Sequence, residues 1–597
     1  MGLAPSHISD QPIKPLSPNH FCLCPQFRSL YAIGIQNTHP VHQQISEAIK
    51  TIGEVKYPRN FGEIVTYEEE PNVVKFPFFS GRIRHFKDSL RTKLIWSAIF
   101  FNLLKLGWRV RLATDVRRHG DSSVFIFEHV ADQTGYHGVP EAIACLSVSS
   151  NSKLQLISKE CYHQDLSDDL SRILTATWSR YGHQFSTKVK EHTLENFEDT
   201  VVTQFEFHEV VWYDMTGGRE KVRMEGRKLR LEARMTMAHI LGQLGKSQGW
   251  ELLTKGQVKG KTDYVWFVKY PVASSVGQFT LPFSETLPPP SYFQALRENE
   301  SSSHPKIMIS DLHHPDAESP ALIHLDTHDK IRIAGFSDEI NQQFGQCLES
   351  GGLIIERKND EDYKYLHNGY EFKIVGSPWL CRDEEAVKSR YALGLCLEML
   401  RLNNFSVLTC LDISNNLSDK SAFLLVRSAV PVQAALDFGY NPMNIHTPIF
   451  SDLPATDQRS LSTLIVSLSE TNQLRFIGNF DDRELEDFME PLRYYPFGIR
   501  GEFWENDIMA LRQNYDRCYK VEFKMRPWAI LHYPDEYRNL GWHVMSMVCN
   551  LFYKMESQGW KVNCSGDVSS IYYRNSSSSS SSSYSIDTHS WFLSKIK

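Results

Sequence analysis

Gly107-Trp108-Arg109-Val110-Arg111-Leu112-Ala113-Thr114-Asp115 reads as the end of a helix running straight into a strand, and the arrangement recurs three more times along the chain. Gly249-Trp250, Asn404-Phe405 and Gly559-Trp560 repeat the closing pair, and seven residues past each aromatic stand Asp115, Gln257, Asp412 and Asp567. Asp121, Asp263, Asp419 and Asp587 follow, and four residues after each comes an aromatic: Phe125, Phe267, Phe423 and Trp591. Matched offsets in four places define an internal repeat.

The repeated residues have a structural reason to be there. Glycine after a helix can take the left-handed conformation that terminates it, and Asn404 can do the same. The aromatics Trp108, Trp250, Phe405 and Trp560 then open the returning strand by packing back on the helix. Aspartate closes turns readily because its side chain accepts a backbone N–H. A catalytic carboxylate kept in three copies and exchanged for Gln257 in the remaining one is a weaker reading.

Working outward, three copies carry a lysine and then a Pro-aromatic pair before the helix: Lys75 with Pro77-Phe78, Lys373 with Pro378-Trp379, Lys524 with Pro527-Trp528. Proline has no N–H for a ladder, so these pairs mark strand ends. The second copy departs here, reading Arg223-Met224-Glu225-Gly226. Farther upstream, Leu154-Gln155-Leu156, Ile331-Arg332-Ile333 and Leu474-Arg475-Phe476 alternate with the period of half-buried strands.

The pattern predicts an α+β protein made of four tandem copies of a small two-helix, roughly six-stranded domain, in the order β-β-α-β-β-α-β-β. The expected layout is a flexible tail over 1–27, repeats at 28–130, 142–272, 321–432 and 461–597, and linkers at 273–320 and 433–460. The Pro/Ser-rich segment 273–320 has too little apolar surface to order itself, which suggests two pairs of domains joined by a flexible linker.

Composition excludes several classes. A net charge of −7 and a pI near 6.4 remove the footprint of a general nucleic-acid binder, which needs cations to neutralise phosphates. One basic stretch, Arg219 to Arg234, holds seven Lys or Arg and reads as a solvated helix face. Eleven scattered cysteines without zinc-type spacing point to reduced thiols in a cytoplasmic protein, with Cys22-x-Cys24 placed in the tail. The N-terminus shows no charged and then apolar secretory pattern. The most apolar run, Leu94 to Trp108, is too short to span a bilayer and reads as a core helix.

Several stretches imitate chemistry. Gly245-Lys246-Ser247-Gln248-Gly249 fits a nucleophile elbow, but that elbow needs a strand before the serine and a helix after it, the reverse of the order here. Gly256-Gln257-Val258-Lys259-Gly260-Lys261-Thr262 is one residue short of a phosphate loop and precedes a strand, so it reads as a hairpin turn. His324, Asp326 and His328 alternate and are weak metal-ligand candidates, placed by the repeat at a strand end and exposed turn. The serine run 576–583 enlarges a hairpin loop of the fourth copy. No metal or cofactor is expected.

Two signals bear on partners. Pro288-Pro289-Pro290-Ser291-Tyr292 holds a P-P-x-Y peptide of the kind that WW domains bind, with Pro289, Pro290 and Tyr292 as the contact residues. Met1-Gly2-Leu3-Ala4-Pro5-Ser6 fits the myristoylation pattern at Gly2, although no polybasic segment follows to strengthen so marginal an anchor. The residues therefore favour a non-enzymatic cytoplasmic scaffold or adaptor that recruits a WW-domain protein. The alternatives are an enzyme with a site assembled between repeats from Asp115, Asp412 and Asp567, and a myristoylated peripheral membrane protein.

Overall fold

The computed structural model describes residues 19–26, 29–53, 62–68, 70–77, 86–116, 123–130, 139–150, 152–181, 183–190, 200–209, 220–244, 250–256, 264–271, 320–326, 328–356, 364–366, 369–379, 383–411, 421–427, 461–505, 516–530, 538–574 and 583–596. The class is α+β, with four six-stranded antiparallel sheets.

The first domain runs β1 (His20–Gln26), β2 (Ser29–Ile33), α1 (Val41–Gly53), β3 (Val65–Thr66), β4 (Val73–Pro77), α2 (Phe86–Lys105), β5 (Trp108–Thr114) and β6 (Val124–His129). Next come β7 (Ala142–Ser150), β8 (Lys153–Lys159), α3 (Glu160–Thr177), β9 (Phe185–Lys190), β10 (Thr200–Phe207), α4 (Glu220–Leu244), β11 (Trp250–Gly256) and β12 (Tyr264–Lys269). The third domain holds β13 (Ala321–Asp326), β14 (Lys330–Ala334), α5 (Asp338–Ser350), β15 (Lys364–Leu366), β16 (Gly369–Lys373), α6 (Asp383–Leu402), β17 (Phe405–Leu411) and β18 (Ala422–Arg427). The fourth holds β19 (Leu461–Ser469), β20 (Gln473–Gly478), α7 (Asp482–Tyr494), β21 (Ile499–Trp504), β22 (Arg517–Phe523), α8 (Arg538–Ser557), β23 (Lys561–Arg574) and β24 (Ser583–Ile596). Each sheet has one strand order, β3-β4-β2-β1-β6-β5 in the first domain and its equivalent in the others.

Cap geometry follows the reasoning from residue type. Gly107, Asn404 and Gly559 have φ of 82°, 65° and 86°, the left-handed region that ends a helix. Gly249 lies outside the described residues. Trp379 and Trp528, both buried, donate their indole N–H to Lys330 O at 3.0 Å and Gln473 O at 2.8 Å, so each pins the segment after its proline to the sheet.

The four domains close into a ring. The second helix of each packs on the first strand of the next sheet: α2 on β7, α4 on β13, α6 on β19, and α8 back on β1. Every core therefore holds one domain's helices and sheet face together with the opposite face of the following sheet. Cys145, Ile157 and Trp266 join the first core, Leu322 and Leu424 the second, Ile465 and Phe592 the third, and Cys22, Tyr31 and Ile126 the fourth. A closed ring replaces the expected two separate pairs, because a sheet with two apolar faces must bury both.

That closure revises four further expectations. Residues 20–26 are no tail: β1 pairs with both β2 and β6, and Cys22 and Cys24 are fully buried. The strands read as half-buried are covered on both sides, leaving Gln155, Arg332 and Arg475 only 1–2% exposed. Phe267 pairs with Leu252, whereas Phe125, Phe423 and Trp591 pair with Ala113, Cys410 and Ser565. Val265 is thus the true counterpart of Phe125; the second hairpin is two residues shorter, and a shift of two preserves the face and hides the slip. Arg234, assigned to a solvated face, is buried on α4.

Candidate functional site

The inner edge of each sheet is the strand that follows the closing aromatic. β5, β11, β17 and β23 converge on the ring axis, where residues from all four enclose a cavity of about 180 Å³. Each carries the same β-bulge three residues past its aromatic, at Arg111, Leu253, Leu408 and Asn563. A bulge takes one residue out of the ladder and bends the strand, so four equivalent bends keep the edges from running flat against one another.

The cavity wall is cationic. Arg109, Arg111, Lys255, Arg401 and Lys561 line it against the carboxylates Glu251 and Glu556. Arg111 is held by Glu128 at 2.7 Å and Glu556 at 3.5 Å. Arg401, at the end of α6, donates to Asn563 Oδ1 at 3.4 Å and to Ser594 Oγ, and burial lowers its pKa to about 10. Burial, then the nearby Arg111, lowers the Lys561 ammonium from its ordinary value, with Glu556 opposing. Burial raises Tyr270 to about 12.

Glu251 is displaced toward neutrality, raised by burial to about 7 with Arg109 opposing. A carboxyl whose folded pKa exceeds its ordinary 4.5 favours the fold fully below that value and loses this advantage as pH rises toward 7. Each pKa unit is worth about 1.4 kcal/mol, so with a discount for partial exposure the ionised group costs roughly 2 kcal/mol above neutrality. Glu251→Gln is therefore expected to be more stable than the parent by roughly 2 kcal/mol at pH 8 and equal to it near pH 4.5. Equal urea midpoints at both pH values would remove the argument.

The repeated carboxylates lie on inter-domain junctions. Asp115 donates its backbone N–H to His589 Nδ1 of the fourth domain at 3.1 Å, and Asp567 donates its own to Ser421 Oγ of the third at 3.0 Å. Asp567 closes no turn: it is buried within β23, paired with His589, and the hairpin continues well beyond it. Asp412 lies outside the described residues, as do Gly2, Pro289, Pro290, Tyr292 and all of the serine run except Ser583.

Ser565 Oγ stands 3.1 Å from His589 Nδ1, a spacing that suits a nucleophile and its base. The rest of the arrangement argues for structure. His589 Nδ1 already accepts the Asp115 N–H, Ser565 donates to Thr114 Oγ1 at 2.9 Å, and Trp591 Nε1 donates to the same Thr114. The imidazole is held neutral by burial and then by Lys255, a cation in the surroundings where a catalytic base needs a carboxylate.

The expected metal candidates do not converge. His324 and Asp326 are buried within β13 rather than at an exposed turn, where Asp326 pairs with Arg332 at 3.0 Å; His328 alone is exposed on the turn. Among the described residues, His20, Glu128 and Glu556 bring ligand atoms within 4.8 Å of one another, but Arg111 already bridges the two carboxylates.

A domain-family model, whose description names a domain and no activity, matches residues 320–426 and 462–594. Those spans coincide with the third and fourth domains. No curated protein and no solved structure matches the chain. Among the described residues, no helix is long and apolar enough to cross a membrane.

Proposed function

We propose that the protein is a non-enzymatic scaffold, a ring of four domains that displays the P-P-x-Y peptide of its central linker to a WW-domain partner. The supporting observation is the unequal length of connections across equivalent junctions. Residues 130–141 suffice to join the first sheet to the second, while 270–320 bridge the corresponding gap between the second and third. The longer connection is the one that carries Pro289, Pro290 and Tyr292, and α4 packs on β13 across the same junction. Proline-rich peptides bind with little ordering cost, which suits display from such a segment.

Titration of the full chain with a purified WW domain, followed by fluorescence anisotropy, tests the reading. Tyr292→Ala is expected to weaken binding at least about tenfold, because the ring fills the domain's aromatic groove. Identical titrations for the parent and the variant would show the peptide to be linker alone. Retention in a membrane pellet that disappears with Gly2→Ala would instead support the myristoylated alternative.

A further inference from the structure

We infer that the central cavity is a binding site for a small phosphate-class anion, held where the four inner edge strands meet. The first support is charge: five cationic side chains line the wall against two carboxylates. Glu128 behind Arg111 and Glu398 near Arg401 offset part of this, yet the cations still outnumber the acids. The second support is pairing. Among the described residues, Arg109 and Lys561 make no side-chain hydrogen bond or ion pair, although both line the cavity. Each half-buried cation has only a longer-range counter-charge, Glu251 for Arg109 and Glu556 with Glu128 for Lys561, so the N–H donors of both stay open to a ligand. An anion on the axis completes the set.

Size narrows the class. A cavity of about 180 Å³ falls below the usual range for drug-sized ligands, roughly 300–1,000 Å³. At a minimum of about 10–15 Å³ per water, it holds on the order of ten waters, room for a pyrophosphate or the diphosphate end of a larger molecule. Arg109 offers a planar fork to phosphate oxygens and Lys561 a point charge, while Arg111, engaged by Glu128 and Glu556, adds charge behind them. The ligand would touch β5 of the first domain and β23 of the fourth, so occupancy would tie together the strands that close the ring.

The test is calorimetric titration of the full-length chain with inorganic pyrophosphate, with sulfate as a control for charge alone and ADP to distinguish a free diphosphate from a nucleotide. Saturable pyrophosphate binding is expected, weakened more than about tenfold by Arg109→Gln or Lys561→Gln. Glu251→Gln removes a carboxylate from the same wall and is expected to tighten binding by a few-fold, a gain that no folding defect can imitate. ADP binding as tightly as pyrophosphate identifies the nucleotide as the source of the diphosphate; weaker ADP binding identifies the free anion. No saturable binding up to about 1 mM, or binding that none of the three substitutions alters, overturns the assignment.

Discussion

Trp542→Ala is expected to cost about 3–5 kcal/mol and to open the ring between the fourth and first domains. Trp542 on α8 is 2% exposed and packs across the closing junction, 4.7 Å from the Tyr67 ring and 5.9 Å from the Tyr31 ring. Its neighbour His543 lies 4.0 Å from Glu70 of the first domain, so the junction has a polar flank as well. Alanine leaves a void between two domains where no other side chain can refill it, because both surfaces are held by their own sheets. Each core is shared with the next domain, so a break here also removes cover from Cys22 and Ile126. Small-angle scattering should show a larger radius of gyration, and urea unfolding should lose its single transition. An unchanged scattering curve with a loss under about 1 kcal/mol would refute closure by this helix.

Arg332→Met is expected to cost about 3–5 kcal/mol through a different mechanism, the loss of a buried charge. Arg332 is 2% exposed on β14 and pairs with Asp326 at 3.0 Å and Glu371 at 2.7 Å, with Lys330 also on Glu371. Methionine fills a similar volume, so the penalty comes from removing the Arg332 charge from buried Asp326 and leaving Glu371 with Lys330 alone. Burial alone would raise the Glu371 pKa; Arg332 and Lys330 outweigh it and hold the carboxyl below its ordinary value. A depressed carboxyl contributes stability above its unfolded pKa and loses it as pH falls through the folded one. The parent should therefore weaken below about pH 4.5, and the gap between parent and variant should narrow there. A gap that stays constant from pH 3 to pH 8, measured by urea melts, would show that packing rather than charge carries the loss.

Much of the architecture was legible in the chain because its signals are local. Gly107, Asn404 and Gly559 terminate helices through backbone conformation, a property of the residue itself. Trp379 and Trp528 each sit fully or nearly buried against the sheet, although the strands before them end at Lys373 and Phe523, ahead of Pro378 and Pro527, so the prolines mark the turn after the strand rather than its end. The errors have one common source. Arg332 and Gln155 read as solvent-facing because alternation reports which face a residue occupies and says nothing of what covers that face. Phe267 was placed two residues out because period-2 patterns repeat after such a shift.

The cavity was not legible at all. Arg109, Glu251 and Lys561 occupy the same position after three different aromatics, yet as sequence they are unlike residues far apart in the chain. Only the closed ring places them around one space. The sequence by itself determined four α+β units and their helix ends, since these follow from short-range periodicity and backbone preference. The tertiary structure alone decided that each second helix covers the next sheet, that the last covers the first, and that cations gather on the axis. Those outcomes depend on which apolar faces meet across hundreds of residues, and hydrophobic burial is non-directional, carrying no address in the local pattern.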